Sequence, residues 1–140
     1  MKRRSALGLA VVVALLPPAR ATPEALAAAV RSFTGGTPLR ERKVQLGVAP
    51  LVDNGNAVPV TISVPGAPVA EVAALALFNE RNPLSDVLRI DFGPRAATRS
   101  VSTRIRLATS QQLVAVARLA DGSCWAQRVE VVVTLAACIE

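Results

Sequence analysis

From residue 43 onward the apolar positions recur every second residue. Val44, Leu46 and Val48 alternate with Lys43, Gln45 and Gly47, and Val58, Val60, Ile62 and Val64 alternate with Pro59, Thr61 and Ser63. The same period returns in Leu88, Ile90 and Phe92, and again in Val101, Thr103, Ile105 and Leu107. A two-residue period turns one side of each run to a core and the other to water, as in a half-buried strand. Two runs depart from it. Residues 72–78 and 113–119 are apolar at nearly every position, as central strands covered on both faces are. The last run starts at Trp125 and carries Val129, Val131, Val133 and Leu135 on one stripe. Turn chemistry separates the runs: Asp53-Asn54-Gly55, Pro65-Gly66, Asn82-Pro83, Gly93-Pro94 and Asp121-Gly122. Short strands, about seven of them at roughly ten-residue spacing, predict an all-β fold, an immunoglobulin-like antiparallel β-sandwich. Pro59 has no N–H to donate, so its strand is expected at an edge or with a bulge.

One helix precedes the strands. Over residues 22–32 Thr22 can cap, Pro23 suits the first turn, Glu24 complements the helix dipole, and Gly35-Gly36 stops the helix. A helix this short and alanine-rich is marginal alone, so it must dock or fray. The two doubly apolar runs also predict more sticky surface than one small sandwich hides, and hence a protein partner.

The pattern upstream is of another kind. Lys2, Arg3 and Arg4 precede an apolar run from Ala6 to Leu16, and Ala19-Arg20-Ala21 is a small-x-small cleavage site. Residues 1–21 read as a secretory signal, too short in its apolar part for the ~20 residues that span a bilayer. Arg3-Arg4 is compatible with a twin-arginine signal, although Ala6 replaces the bulky apolar residue usual there, and the general secretory route fits as well. The expected organisation is a signal at 1–21, a helix with its glycine stop at 22–36, a sandwich at 43–135 and a tail at 136–140. A signal of this kind implies export, with no membrane anchor expected on the mature form.

Removing the signal changes the charge argument. The whole chain is +6, but Lys2, Arg3, Arg4 and Arg20 leave with the signal, and the remaining 12 bases against 10 acids give +2. That balance, one Trp and no Tyr supply no footprint for nucleic acid. With no His there is no Ser-His or Cys-His nucleophile pair and no His-ligated metal. Two cysteines cannot complete a zinc site, and no glycine-rich phosphate loop is present, so no cofactor and no catalytic residues are expected.

The cysteines remain. Two in an exported chain suggest a disulfide. An unbroken strand over 125–135 opposes it, because 14 residues of extended chain cover about 45 Å, whereas a disulfide needs Cα atoms within about 7 Å. Cys138 is then a free thiol at the end of a tail. No neighbouring base activates it, and Glu140 adds negative charge beside it, so activation falls to a partner. Cys124 is out of phase with Trp125, Val129 and Val131, so it should face away from the main core as a small apolar residue under a loop or at a subunit contact. Arg104 and Arg106 share an outward face with Ser102, either as a solvated surface or as a patch facing an anion or a partner. Asn54-Gly55 reads as a turn.

Several segments lie along the chain in a set order and spacing: Phe33-Thr34-Gly35-Gly36, the run from Asp53-Asn54-Gly55-Asn56 to Val60, Asn82-Pro83, the run from Val101 to Arg106, Val114-Ala115-Val116, Asp121-Gly122, Arg128-Val129-Glu130-Val131, and Thr134-Leu135-x-x-Cys138. Taken together they resemble SoxY, the sulfur-carrier family of bacterial thiosulfate oxidation. The resemblance implies an immunoglobulin-like sandwich in the periplasm, forming a heterodimer with a second sandwich protein, SoxZ. It implies sulfur intermediates attached covalently at Cys138 and worked on by separate sulfur-oxidising enzymes, the carrier itself turning nothing over. One difference lies in the tail: the family flanks its cysteine with glycine pairs, and here Ala136-Ala137 precede Cys138 and Ile139-Glu140 follow. Alanine restricts an arm that glycine would leave free. The alternative is a non-catalytic structural or assembly subunit whose cysteine is vestigial or forms an intermolecular disulfide.

Overall fold

The computed structural model describes residues 22–138. The expected signal at 1–21 and the last two residues of the expected tail, Ile139 and Glu140, lie outside the described residues.

The helix α1 runs Pro23–Thr34 and is capped as its sequence predicts. Thr22 Oγ1 accepts from the Ala25 N–H at 3.0 Å, and Gly35 closes the helix at φ 66° with its N–H on the Arg31 carbonyl. It docks. Among the described residues nine strands follow: β1 (Leu39–Glu41), β2 (Gln45–Gly47), β3 (Leu51–Val52), β4 (Val58–Ser63), β5 (Val72–Asn79), β6 (Asp86–Asp91), β7 (Val101–Ile105), β8 (Gln111–Leu119) and β9 (Cys124–Val133). The larger sheet has the order β1-β9-β8-β5-β6, with β3 also on β9, and the smaller is β2-β4-β7.

The two strands expected to be covered on both faces, β5 and β8, sit side by side inside the larger sheet. One face of the pair presents Leu75, Leu77, Leu113, Ala115 and Ala117 to Val58, Val60, Ile62 and Ile105 of the smaller sheet. Val131 enters the same core from β9. The other face presents Ala74, Ala76, Phe78, Val114 and Val116 to α1, which covers them with Phe33, Leu26, Ala29 and Val30. The domain therefore has three layers, helix on sheet on sheet. The chain's own helix buries this face, so the apolar surface of these two runs is covered within the domain.

Phe33 is the anchor of that outer layer. It is 6% exposed and meets Phe78 edge to face at 6.1 Å. Arg118 lies 5.1 Å from the Phe33 ring and donates to the Phe33 carbonyl, while Arg89 donates to the Ala29 carbonyl and pairs with Asp86. Phe33→Ala is expected to cost about 3 kcal/mol, as large-to-small changes at buried aromatics do. Urea unfolding checks it; a loss indistinguishable from zero would mean that α1 is not docked in solution.

The fold departs from the sequence pattern at four further points. The sheets begin at Leu39 rather than 43, because β1 and β3 are two or three residues long and too short to show a period. Both pair with β9 in parallel, so the sandwich is not wholly antiparallel. The strand with Pro59 is central, but β2 stops at Gly47 opposite Thr61, so Pro59 is paired only on the β7 side, with Arg104. A locally open edge satisfies the missing N–H as well as a true edge would. Finally, β9 ends at Val133, and Leu135, expected on its inward stripe, is 58% exposed. Leu51 and Val132, directly opposite each other, are also exposed. No helix among the described residues is long and apolar enough to cross a membrane.

Candidate functional site

Both cysteines are free thiols, Cys124 buried and Cys138 exposed, at opposite ends of the segment that contains β9. Cys124 shares the phase of Ala126, on the sheet face away from the main core, as its position relative to Trp125 predicts. Burial pushes its thiol above the ordinary range, with Arg118 opposing in part, so it is disfavoured as a thiolate. Cys138 is exposed.

Of the tail expected at 136–140, residues 136–138 are described, and from 134 to 138 the chain is tied down. As β9 ends, the Thr134 N–H donates to the Val52 carbonyl at 3.0 Å and its hydroxyl to the Asp53 carbonyl at 3.1 Å. The chain then crosses the turn at 53–56. Gly55 N–H donates to the Leu135 carbonyl at 2.7 Å, and Leu107 N–H donates to the Gly55 carbonyl at 2.8 Å. The Leu107 carbonyl in turn accepts the Ala137 N–H at 3.0 Å. The last contact reaches the cysteine itself, whose N–H donates to Asn56 Oδ1 at 3.1 Å.

Gly55 is there because the chain lies on it. A Cβ at that position would stand 2.5 Å from the Leu107 carbonyl oxygen and 3.0 Å from both Ala137 N and Val133 Cγ1. Two of those atoms are backbone and cannot swing aside. Gly55→Ala is expected to break the Gly55–Leu107 and Ala137–Leu107 bonds together and to cost about 2 kcal/mol, as forced overpacking does. Thermal unfolding with amide exchange at Ala137 would show it; a parent-like melting temperature with Ala137 still protected would contradict the close crossing.

The segment bearing Leu107 is held from the other side by Asn82. Its Nδ2 donates to the Arg106 carbonyl at 2.8 Å, and its Oδ1 accepts from the Ala108 N–H at 2.9 Å and from Gln111 Nε2 at 2.7 Å. Asn54, Gly55, Asn56 and Asn82, which read in the sequence as turn residues and a strand breaker, build the corner on which residues 134–138 rest. Their place within the segments that resemble SoxY was the available signal.

Arg104 and Arg106 are exposed, as expected. With Asn82, Leu84, Asp86 and Thr103 they line an open groove of about 490 Å³ between β6 and β7. Among the described residues no group of three or more His, Cys, Asp or Glu could hold a metal ion. Neither alanine of the tail adopts a positive φ, Arg42 being the single described non-glycine residue that does. The arrangement holds out a thiol on a fixed corner of the sandwich.

A family model described as sulfur oxidation protein SoxY matches residues 30–138, a span containing both sheets, the turn at 53–56 and Cys138. Among solved structures, the sulfur carrier protein SoxY from Chlorobium limicola f thiosulfatophilum is 27% identical. It superposes with a TM-score of 0.68, covering 81% of this chain and 100% of that one. A superoxide reductase (neelaredoxin) from Ignicoccus hospitalis is 21% identical with a TM-score of 0.57, over 66% of this chain and 80% of that one. A putative superoxide reductase from Thermotoga maritima is 14% identical with a TM-score of 0.58, over 68% and 93%. These last two likenesses are of fold alone. No curated protein matches the chain. With the family model spanning most of the chain and a SoxY structure overlaid along its whole length, the chain belongs to the SoxY family of sulfur oxidation proteins.

Proposed function

We propose that this protein is a covalent carrier of sulfur intermediates, loaded on the Cys138 thiol and acted on by separate enzymes. The observation that carries the reading is an exposed free thiol on a positioned tail, in a chain of the SoxY family. Cys124 is the poorer candidate because it is buried, and burial disfavours its thiolate. In the loading step the sulfane sulfur of thiosulfate bonds to the Cys138 sulfur. The thiol proton is lost, two electrons pass to an electron-accepting partner enzyme, and an S-thiosulfonate remains on the cysteine. Water then attacks the sulfonate sulfur, the S–S bond to it breaks, sulfate leaves, and a persulfide stays behind. The carrier supplies the attachment atom and its place on the domain. The redox and hydrolytic groups belong to the partners.

The setting is the periplasm, entered through the signal at residues 1–21, and the working form is a heterodimer with a SoxZ-like sandwich subunit. The exposed Leu51, Val132 and Leu135 beside the tail support a protein partner at that end of the domain. Incubating the reduced protein with thiosulfate, an electron acceptor and the thiosulfate-oxidising enzymes should add one thiosulfonate per chain by intact mass, reversed by reductant. An unmodified mass under conditions that load another SoxY would favour the second reading, a structural subunit, to which the tied-down tail also lends weight.

A further inference from the structure

Asn56 stands in a contact that a turn does not require. Asn54 Oδ1 accepts two hydrogen bonds from Asn56, one from its backbone N–H and one from its side-chain Nδ2, both at 2.9 Å. The Nδ2 is a donor only, so this contact sets which way the Asn56 carboxamide points. It leaves Oδ1 directed at the Cys138 N–H, 3.1 Å away and 82 residues along the chain. The neighbouring anchor, Ala137 N–H to the Leu107 carbonyl, runs to a residue that is fully buried and bracketed by Asn82 on either side. No free residue separates the last anchor from the one that bears the thiol.

From this geometry we infer that Asn56 is a positioning residue: through the Asn54–Asn56 relay it latches the Cys138 backbone to the 53–56 turn and sets where the thiol stands. With the latch closed, the sulfur has only its own side chain for reach, and an enzyme must come to this corner of the domain. With the Cys138 and Ala137 bonds open, residues 136–138 are released, about 10 Å of extended chain. The Cys138–Asn56 bond lies in water-exposed surroundings, so it exchanges readily with water and is the first of the two to open. A latch held by side-chain hydrogen bonds gives a tail of alanines a defined parked position and a defined release.

What the latch is for rests on the carrier reading; whether it exists does not, and the experiment separates the two. Amide exchange is followed by NMR at Cys138, Ala137, Gly55 and Leu107 in the reduced protein and in the Asn56→Ala and Asn56→Asp variants. Asn56→Ala should raise exchange at Cys138 about three- to tenfold while Gly55 and Leu107 stay at parental rates, as loss of one local hydrogen bond does. Asn56→Asp retains an acceptor oxygen but loses the Nδ2 that donates to Asn54 Oδ1, so exchange at Cys138 should fall between the parent and Asn56→Ala, with Gly55 and Leu107 unchanged, a graded response that a general loosening of the turn would not show. Unchanged exchange at Cys138 in Asn56→Ala, or an equal rise at Gly55 and Leu107, overturns the latch. Sulfur uptake is measured on the same samples by intact mass. A parent that takes up no sulfur while Asn56→Ala still frees the Cys138 amide would sink the carrier reading and leave the latch standing.

Discussion

Replacing Val131 with aspartate is expected to cost at least about 4 kcal/mol, out of the roughly 5–15 kcal/mol that holds a domain together. Val131 is 1% exposed and packs in the core between the sheets. The residue directly across from it on β8 is Gln111. That side chain cannot rescue a carboxyl, because its Nε2 is already committed to Asn82 Oδ1 and the Thr109 carbonyl. The introduced acid would fold protonated, its folded pKa raised above its unfolded value by burial. Folding then takes up a proton wherever the unfolded carboxyl is ionised, so the deficit should grow as pH rises through about 4 and be smallest in acid. Denaturant unfolding at two pH values checks both size and sign. A variant that melts with the parent would mean that the inward stripe of β9 does not face the core.

Much of this core was legible in the residues. Val129, Val131 and Val133 recur at period two and face inward, and the runs at 72–78 and 113–119 lack a polar side because α1 and the smaller sheet cover one face each. The capped, glycine-stopped helix was equally plain, since Thr22 and Gly35 act within a few residues of themselves. What escaped was whatever depends on contacts distant in sequence. β1 and β3 are defined by their parallel alignment on β9 and have no period of their own. Leu135 continues the stripe by position, yet the chain has already left β9 to cross Gly55. Asn54-Gly55-Asn56 would have the same turn chemistry with or without a tail above it, and only the fold brings Cys138 to Asn56. Cys138 stood out in the sequence as a thiol near the end of the chain; the hydrogen bonds that hold it could not be read there.

Cys138→Ser is expected to abolish every reductant-labile sulfur adduct on the protein, and Cys124→Ser to leave them at the parental level. The asymmetry follows from the two environments. Cys138 is exposed at the end of the docked tail, whereas Cys124 is fully buried, with its sulfur 3.9 Å from the Gly122 carbonyl and its thiolate disfavoured by burial. Serine at either position keeps nearly the same volume, and at 138 it retains the backbone N–H that Asn56 accepts, so the fold and the docked tail should survive. The decisive measurement is mass-spectrometric mapping of the protein recovered from cells oxidising thiosulfate. The account predicts persulfide or thiosulfonate mass on the peptide containing Cys138, absent after Cys138→Ser and after reductant. Adducts that persist in Cys138→Ser, or the two cysteines joined quantitatively in one intramolecular disulfide, would contradict it.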